Sequence, residues 1–266
     1  MKEKIISIIN QKGGVGKTTT VINLAAGLSL NGKKILVIDL DPQGNATTGL
    51  GLSNEAGTTK SIYGVLNGTE EIQSVIQKTD FNNLDIVTSN VDLSGLEVET
   101  ADDENRAHLL KVKLTTYLNN SSHSYDYVLI DCPPSLSLLT VMALVVSDSL
   151  VVPLQTEFFA LEGITQLIKT IDRIKVGLNP SLNVRGILLT MYDKRNKLSS
   201  QVEKDARDYF KDKVYQTVVP RNVRLSEAPS HGVPVLIYDK QCLGSISYLK
   251  FTDEFLAQES SYVSAA

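Results

Sequence analysis

The run Lys12-Gly13-Gly14-Val15-Gly16-Lys17-Thr18-Thr19 constrains this 266-residue chain more than any other segment. It follows a short apolar stretch, Ile5 to Ile9, and opens a segment in which Val21, Leu24, Ala25 and Leu28 recur at helical spacing. Strand, glycine-rich turn and helix in that order aim backbone N–H groups and a helix N-terminus at one point, as a polyphosphate requires. Gly13, Gly14 and Gly16 permit close approach and unusual dihedrals, Lys17 reaches the β- and γ-phosphates, and Thr18 offers a hydroxyl to Mg²⁺. An incidental turn would not combine these features with Gly-Lys-Thr-Thr at the junction. The loop therefore predicts ATP or GTP, Mg²⁺ and hydrolysis.

One departure carries information. The common pattern has Gly five residues before Gly16; this chain has Gln11 there, and Lys12 inside the loop. A lysine at the start of the loop does not easily bend back to its own γ-phosphate. It can reach phosphates held by a facing subunit, the work of an arginine finger supplied in trans. That reading predicts a nucleotide-sandwich dimer, and its alternative is a solvated surface lysine.

Further apolar runs, Ile35 to Ile38, Leu84 to Val87, Tyr127 to Ile130, Ser149 to Val152 and Val184 to Leu189, read as strands buried on both faces. They alternate with helical stretches near 105–119, 135–147, 159–176 and 197–212. The pattern predicts an α/β fold, a doubly wound, mainly parallel sheet flanked by helices, of the P-loop NTPase type. No Pro/Gly/Ser-rich linker interrupts it, so a single domain is expected over 1–257, with 258–266 as a flexible C-terminal tail. No run approaches the roughly 18 apolar residues of a spanning helix. The first residues do not read as a signal peptide, and the two cysteines, Cys132 and Cys242, form no C-x-x-C pair. A cytoplasmic protein is the expectation.

In such a sheet ligands sit beyond the carboxyl ends of the strands. Asp39 and Asp41 leave the second apolar run two residues apart, on one face while the chain stays extended. One of them can position the attacking water while the other supports the Mg²⁺ shell. Asp131, directly after Ile130, is placed to hold Mg²⁺ through water, as a Walker-B acid does. Cys132 reads as a packed core thiol. Net charge is −4, but residues 185–250 carry twelve Lys/Arg against seven Asp/Glu, a local excess of +5. An acidic body with a basic C-terminal third can present one positive face.

These segments resemble the ParA/Soj family of DNA-partition ATPases, within the deviant Walker A class, over nearly the whole chain. The likeness rests on the lysine-bearing loop, on Asp39-Leu40-Asp41-Pro42-Gln43-Gly44-Asn45, on Asp131-Cys132-Pro133-Pro134 and on Leu154-Gln155-Thr156-Glu157. It rests also on Ala160-Leu161-Glu162-Gly163 and on Pro220-Arg221-Asn222-Val223-Arg224-Leu225-Ser226-Glu227-Ala228-Pro229. The resemblance implies an ATPase that is weak until stimulated, that forms a homodimer on ATP, and that binds double-stranded DNA without sequence preference. A ParB-like centromere-binding protein would stimulate hydrolysis, the cargo would be a chromosome or a plasmid, and the protein would be nucleoid-associated. By position, Lys12 would be the cross-dimer lysine, Lys17 the phosphate lysine and Asp41 the residue that activates water. Met191, Pro220 and Asn222 would lie against adenine, while Arg195 and Arg224 would contact DNA phosphates.

Lys194-Arg195-Asn196-Lys197 is more basic than the usual family loop. Because the phosphate loop begins by residue 12, a short form without an N-terminal helix-turn-helix domain is expected. A MinD-like membrane-cycling ATPase would share the loop but end in a Lys-rich amphipathic helix. The segment Tyr248 to Leu256 has one lysine together with Asp253 and Glu254, so no membrane binding is expected. An iron–sulfur carrier of this class would need paired cysteines, and Cys242 has no evident companion.

Overall fold

The computed structural model describes residues 4–58, 60–120 and 125–264. Among these, eight strands form one sheet: β1 (Lys4–Ile8), β2 (Ile35–Asp39), β3 (Ile76–Lys78), β4 (Leu84–Val87), β5 (Tyr127–Asp131), β6 (Ser149–Gln155), β7 (Asn183–Tyr192) and β8 (Val214–Pro220). Their order is β3-β4-β2-β5-β1-β6-β7-β8. Only β3 runs antiparallel, against β4, and the remaining pairings are parallel. The chain leaves β1 toward one edge and later returns past it toward the other. The crevices at the carboxyl end of β1 are therefore where such a sheet accepts ligands.

The strands are apolar throughout because both faces are covered. Along β2, Leu36 and Ile38 belong to one apolar cluster and Ile35 and Val37 to the other. The helices Leu109–Asn120, Leu138–Val146, Ala160–Gly177 and Lys197–Phe210 cover the first face, through residues such as Leu114, Met142, Leu167 and Val202. The helices Lys17–Leu30 and Leu243–Ser264 cover the second, through Leu24, Leu28, Phe251 and Phe255. The doubly wound, mainly parallel sheet expected from the sequence is the fold observed.

Two strands were not legible as apolar runs. β3 is Ile-Gln-Lys, half-buried to exposed, and β8 has Gln216 and Thr217 in its centre. Both are sheet edges, where one side meets solvent and polar residues are tolerated. The last helix runs to Ser264, into the segment expected to form a flexible tail. Its Tyr248, Phe251 and Phe255 are buried against the sheet, so its apolar face is spent on the core. No helix among the described residues is long and apolar enough to cross a membrane.

The helix after the phosphate loop is held by a close approach to this last helix. A Cβ on Gly27 would stand 2.2 Å from Thr252 Oγ1, a buried hydroxyl that donates to the Tyr248 carbonyl. Overpacking of this kind costs about 1–3 kcal/mol, against the roughly 1 kcal/mol that alanine gains over glycine within a helix. Gly27→Ala is expected to lower the urea midpoint at unchanged slope. A midpoint at or above that of the parent would count against this packing.

Candidate functional site

The loop between β1 and the helix Lys17–Leu30 is built from turns that only glycine takes readily. Gly14 and Gly16 have φ of +73° and +91°. Gly16 caps the helix, no side chain occupies the cap, and the first turn carries no acid, so its N–H groups are directed at whatever anion enters the loop. Asn10 pins the loop's start: its Nδ2 donates to the Pro153 carbonyl at 2.8 Å and its Oδ1 accepts from Lys12 N at 3.0 Å. Thr190 pins the centre by donating to the Val15 carbonyl at 2.9 Å.

Two lysines take different positions in this loop. Lys17 is buried and its Nζ donates to the Lys12 carbonyl at 3.1 Å. Burial lowers its pKa, and the carboxylates of Asp131 and Asp41 oppose that shift. Lys12 has a side chain 52 % exposed and forms an ion pair with Glu157, just before the helix Ala160–Gly177. It shares a small recess with Glu157 and Phe159. Phe158 and Phe159 stand exposed beside it as an edge-to-face pair.

Sheet register brings the carboxylates together. Asp39 and Asp131 are direct partners across β2 and β5, and Asp131 is also the partner of Ile8 at the end of β1. Both are fully buried, and Asp41 is nearly so. Burial raises the pKa of Asp39, offset by hydrogen bonds from Thr47 and from the Asp41 amide. Burial also raises that of Asp131, joined by the charge of Asp39 and opposed by Thr18 and Lys17.

The two differ in how their oxygens are used. Asp39 Oδ2 accepts from Thr47 N at 2.8 Å and Thr47 Oγ1 at 2.7 Å, and its Oδ1 accepts from Asp41 N at 3.2 Å. Neither oxygen of Asp131 accepts a hydrogen bond of good geometry. A buried carboxylate left in that condition is costly unless a cation or its water completes it, so the donor set fits Mg²⁺ beside Thr18. Asp41 Oδ1 takes the Gln43 amide at 3.0 Å, which fixes the loop after β2. Cys132 is fully buried and burial pushes its thiol pKa upward, as a packed core thiol requires.

Beside the loop lies a cavity of about 370 Å³ lined by Gly16, Thr18, Met191, Pro220, Asn222 and Tyr248 among others. The three residues expected to face a base thus meet in one cavity with the loop, although they come from two strand ends, Met191 from that of β7 and Pro220 and Asn222 from at and just past that of β8. Met191 holds a left-handed φ of +52° at the end of β7, a strained setting for a non-glycine residue. The ends of β7 and β8 are tied by Arg221 N donating to the Tyr192 carbonyl at 3.1 Å, so segments 193–197 and 221–224 leave the sheet side by side. Lys194, Arg195, Lys197, Arg221 and Arg224 are all exposed there. Arg195 is gripped by Asp193, with Nε and Nη2 each at 3.0 Å. Arg224 pairs with Glu227 at 2.7 Å and with Asp239 at 3.4 Å. The Arg195 hydrogen bonds hold the Asp193 carboxyl down at about 2.

A family model described as an AAA domain matches residues 3–184. The chain is 51% identical over 256 residues to the chromosome partitioning protein ParA of Caulobacter vibrioides, covering 96% of this chain and 95% of that one. It belongs to the ParA/Soj family of chromosome-partitioning ATPases. The sporulation initiation inhibitor protein Soj of Bacillus subtilis is 47% identical, with 96% of this chain and 98% of that one aligned. A solved structure named cobyrinic acid a,c-diamide synthase, from Mycobacterium smegmatis, holds an ATP analogue and magnesium. It is 33% identical with a TM-score of 0.83, covering 97% of this chain and 96% of that one.

Three features of this ParA/Soj site escaped sequence reading. Asn10 and Thr190 hold the loop, and Thr47 holds Asp39, yet each lies outside the residues whose chemistry announces a nucleotide site. The signal available for Thr47 was its place two residues after the Asp39 to Asn45 segment, where Ala46 and Thr47 are buried between exposed Asn45 and Thr48.

Proposed function

We propose that this chain is an Mg²⁺-dependent ATPase that dimerises on ATP, binds DNA without sequence preference and segregates chromosome or plasmid DNA with a ParB-like partner. Family membership supports the partition role. The observation that carries the dimer is the position of Lys12, half exposed at the rim of the loop beside the exposed pair Phe158 and Phe159. A second copy facing this rim would bury that apolar pair and bring its own Lys12 to the first copy's phosphates.

Each copy would use its residues in distinct ways. The amides of Gly13 to Thr19 and the Lys17 ammonium bind and orient the phosphates, and Met191, Pro220 and Asn222 hold the base in the adjoining cavity. Thr18 and Asp131, with Asp39 alongside, would hold Mg²⁺, which supplies charge neutralisation on the phosphates. Asp41 accepts a hydrogen bond from the attacking water and aligns it. The partner copy's face excludes bulk water when closed. The decisive experiment measures phosphate release with DNA, with a ParB-like N-terminal peptide, and with both. A rate that rises only with both supports the reading, and a rate indifferent to all three arms sinks it.

DNA binding would rest on the exposed edge formed by Lys194, Arg195, Lys197, Arg221 and Arg224. In the free protein, Arg195 and Arg224 are held by neighbouring acids, and DNA phosphates would exchange for those acids. Arg224→Ala is expected to reduce the slope of log K against log salt by about 1 and to leave ATP affinity within about twofold. Fluorescence anisotropy of labelled duplex across a salt series reads this. An unchanged slope would remove Arg224 from the contact.

A further inference from the structure

We infer that Thr47 is a positioning residue that fixes the Asp39 carboxylate for the Mg²⁺ shell. The inference rests on the reading of Asp39 given above. Thr47 is fully buried, and its amide and hydroxyl together make three hydrogen bonds. Its amide and its hydroxyl both donate to Asp39 Oδ2, at 2.8 and 2.7 Å, and its hydroxyl oxygen accepts from Ser89 N at 3.0 Å. A hydroxyl has one proton, and here it is given to Asp39 while a backbone N–H occupies a lone pair, so the rotor has one satisfied orientation.

The clamp is anchored to the sheet. Ser89 follows β4 two residues after Val87, the partner of Ile38 across β2. Asp39 Oδ2 is therefore saturated from a fixed point, and Oδ1 retains spare accepting capacity beyond its 3.2 Å contact with Asp41 N. Asp131 next door has the opposite treatment, with neither oxygen accepting a hydrogen bond of good geometry. One of the two paired carboxylates is oriented by protein, and the other is left for the ion. Because Asp41 N closes the same ring of contacts, Thr47 also sets the start of the Asp41 to Asn45 turn.

The test uses N-methylanthraniloyl-ATP fluorescence titrated with Mg²⁺ and, separately, in EDTA. Thr47→Val keeps the amide bond and removes the hydroxyl. Its Mg²⁺ midpoint is expected to rise by about tenfold or more, with affinity in EDTA within about twofold of the parent, while Thr47→Ser restores the midpoint. Thr47→Ala, which avoids any misfit of valine, is expected to behave as Thr47→Val. An unmoved Mg²⁺ midpoint in both, parallel loss of both affinities, or failure of serine to rescue overturns the positioning role. Asp39→Asn separates the two readings. If it leaves the Mg²⁺ midpoint unchanged, the assignment of Asp39 to the shell fails; if it raises the midpoint while Thr47→Val does not, only the role of Thr47 fails.

Discussion

Lys12→Ala is expected to abolish ATP turnover and ATP-dependent dimers while the monomer still binds ATP. The structure separates the two lysines of the loop physically, and this separation sets the expected pattern. Lys17 is buried under its own loop with Asp131 and Asp41 close enough to act on it, so on the proposed reading binding of phosphate by a single chain would rest on Lys17 and the backbone amides. Lys12 contributes its carbonyl and amide to that arrangement, and alanine keeps both. Its side chain pairs with Glu157 across the rim of the loop, with 52 % of the lysine and 28 % of the glutamate side chain exposed, a partly screened contact worth about 1 kcal/mol, so the fold should lose little. A cation supplied in trans to a transferring phosphoryl group is worth about 10³–10⁵-fold in rate. Phosphate release should therefore fall to background, light scattering should show monomers with ATP, and ATP affinity should drop by less than about tenfold. Turnover within about threefold of the parent would sink the trans assignment and return Lys12 to a surface lysine.

Much of this architecture was legible because its determinants are local in sequence. The loop announces itself through glycines whose φ values, +73° at Gly14 and +91° at Gly16, leave few alternatives. Strands such as β2 and β5 were legible because both faces are buried and every position must be apolar. Edge strands β3 and β8 escaped the same logic, since burial no longer dictates each residue. The site divides along a similar line. Asp39, Asp41 and Asp131 could be placed because strand ends in a parallel sheet share one rim. Which of them is held and which left bare depends on register and on Thr47 and Ser89, contacts 8 and 42 residues apart that no spacing rule encodes. The Lys12–Glu157 pair and the joining of segments 193–197 and 221–224 are likewise tertiary facts.

Asp41→Ala should give the reverse of the Lys12 phenotype: dimers form on ATP and persist on DNA because hydrolysis no longer ends the state. The geometry allows this separation. The Asp41 carboxylate takes the Gln43 amide at 3.0 Å, but the bond that closes on Asp39 comes from the Asp41 backbone N, which alanine retains. The Thr47 bonds to Asp39 and the bare oxygens of Asp131 are equally untouched, so the donor set for Mg²⁺ stays in place. What would be lost is the group proposed to orient water, a contribution of about 10²–10⁴-fold in rate. Lys12 and the face carrying Phe158 and Phe159 remain available for pairing. The lifetime of ATP-loaded dimers on duplex DNA, followed by light scattering after dilution, should lengthen in proportion to the loss of turnover. Added salt should still release them, because the proposed hold on DNA is through phosphate contacts and not through chemistry. Dimers that dissociate at the parental rate, or that never form, would show that Asp41 serves the structure of the loop and not the timing of hydrolysis.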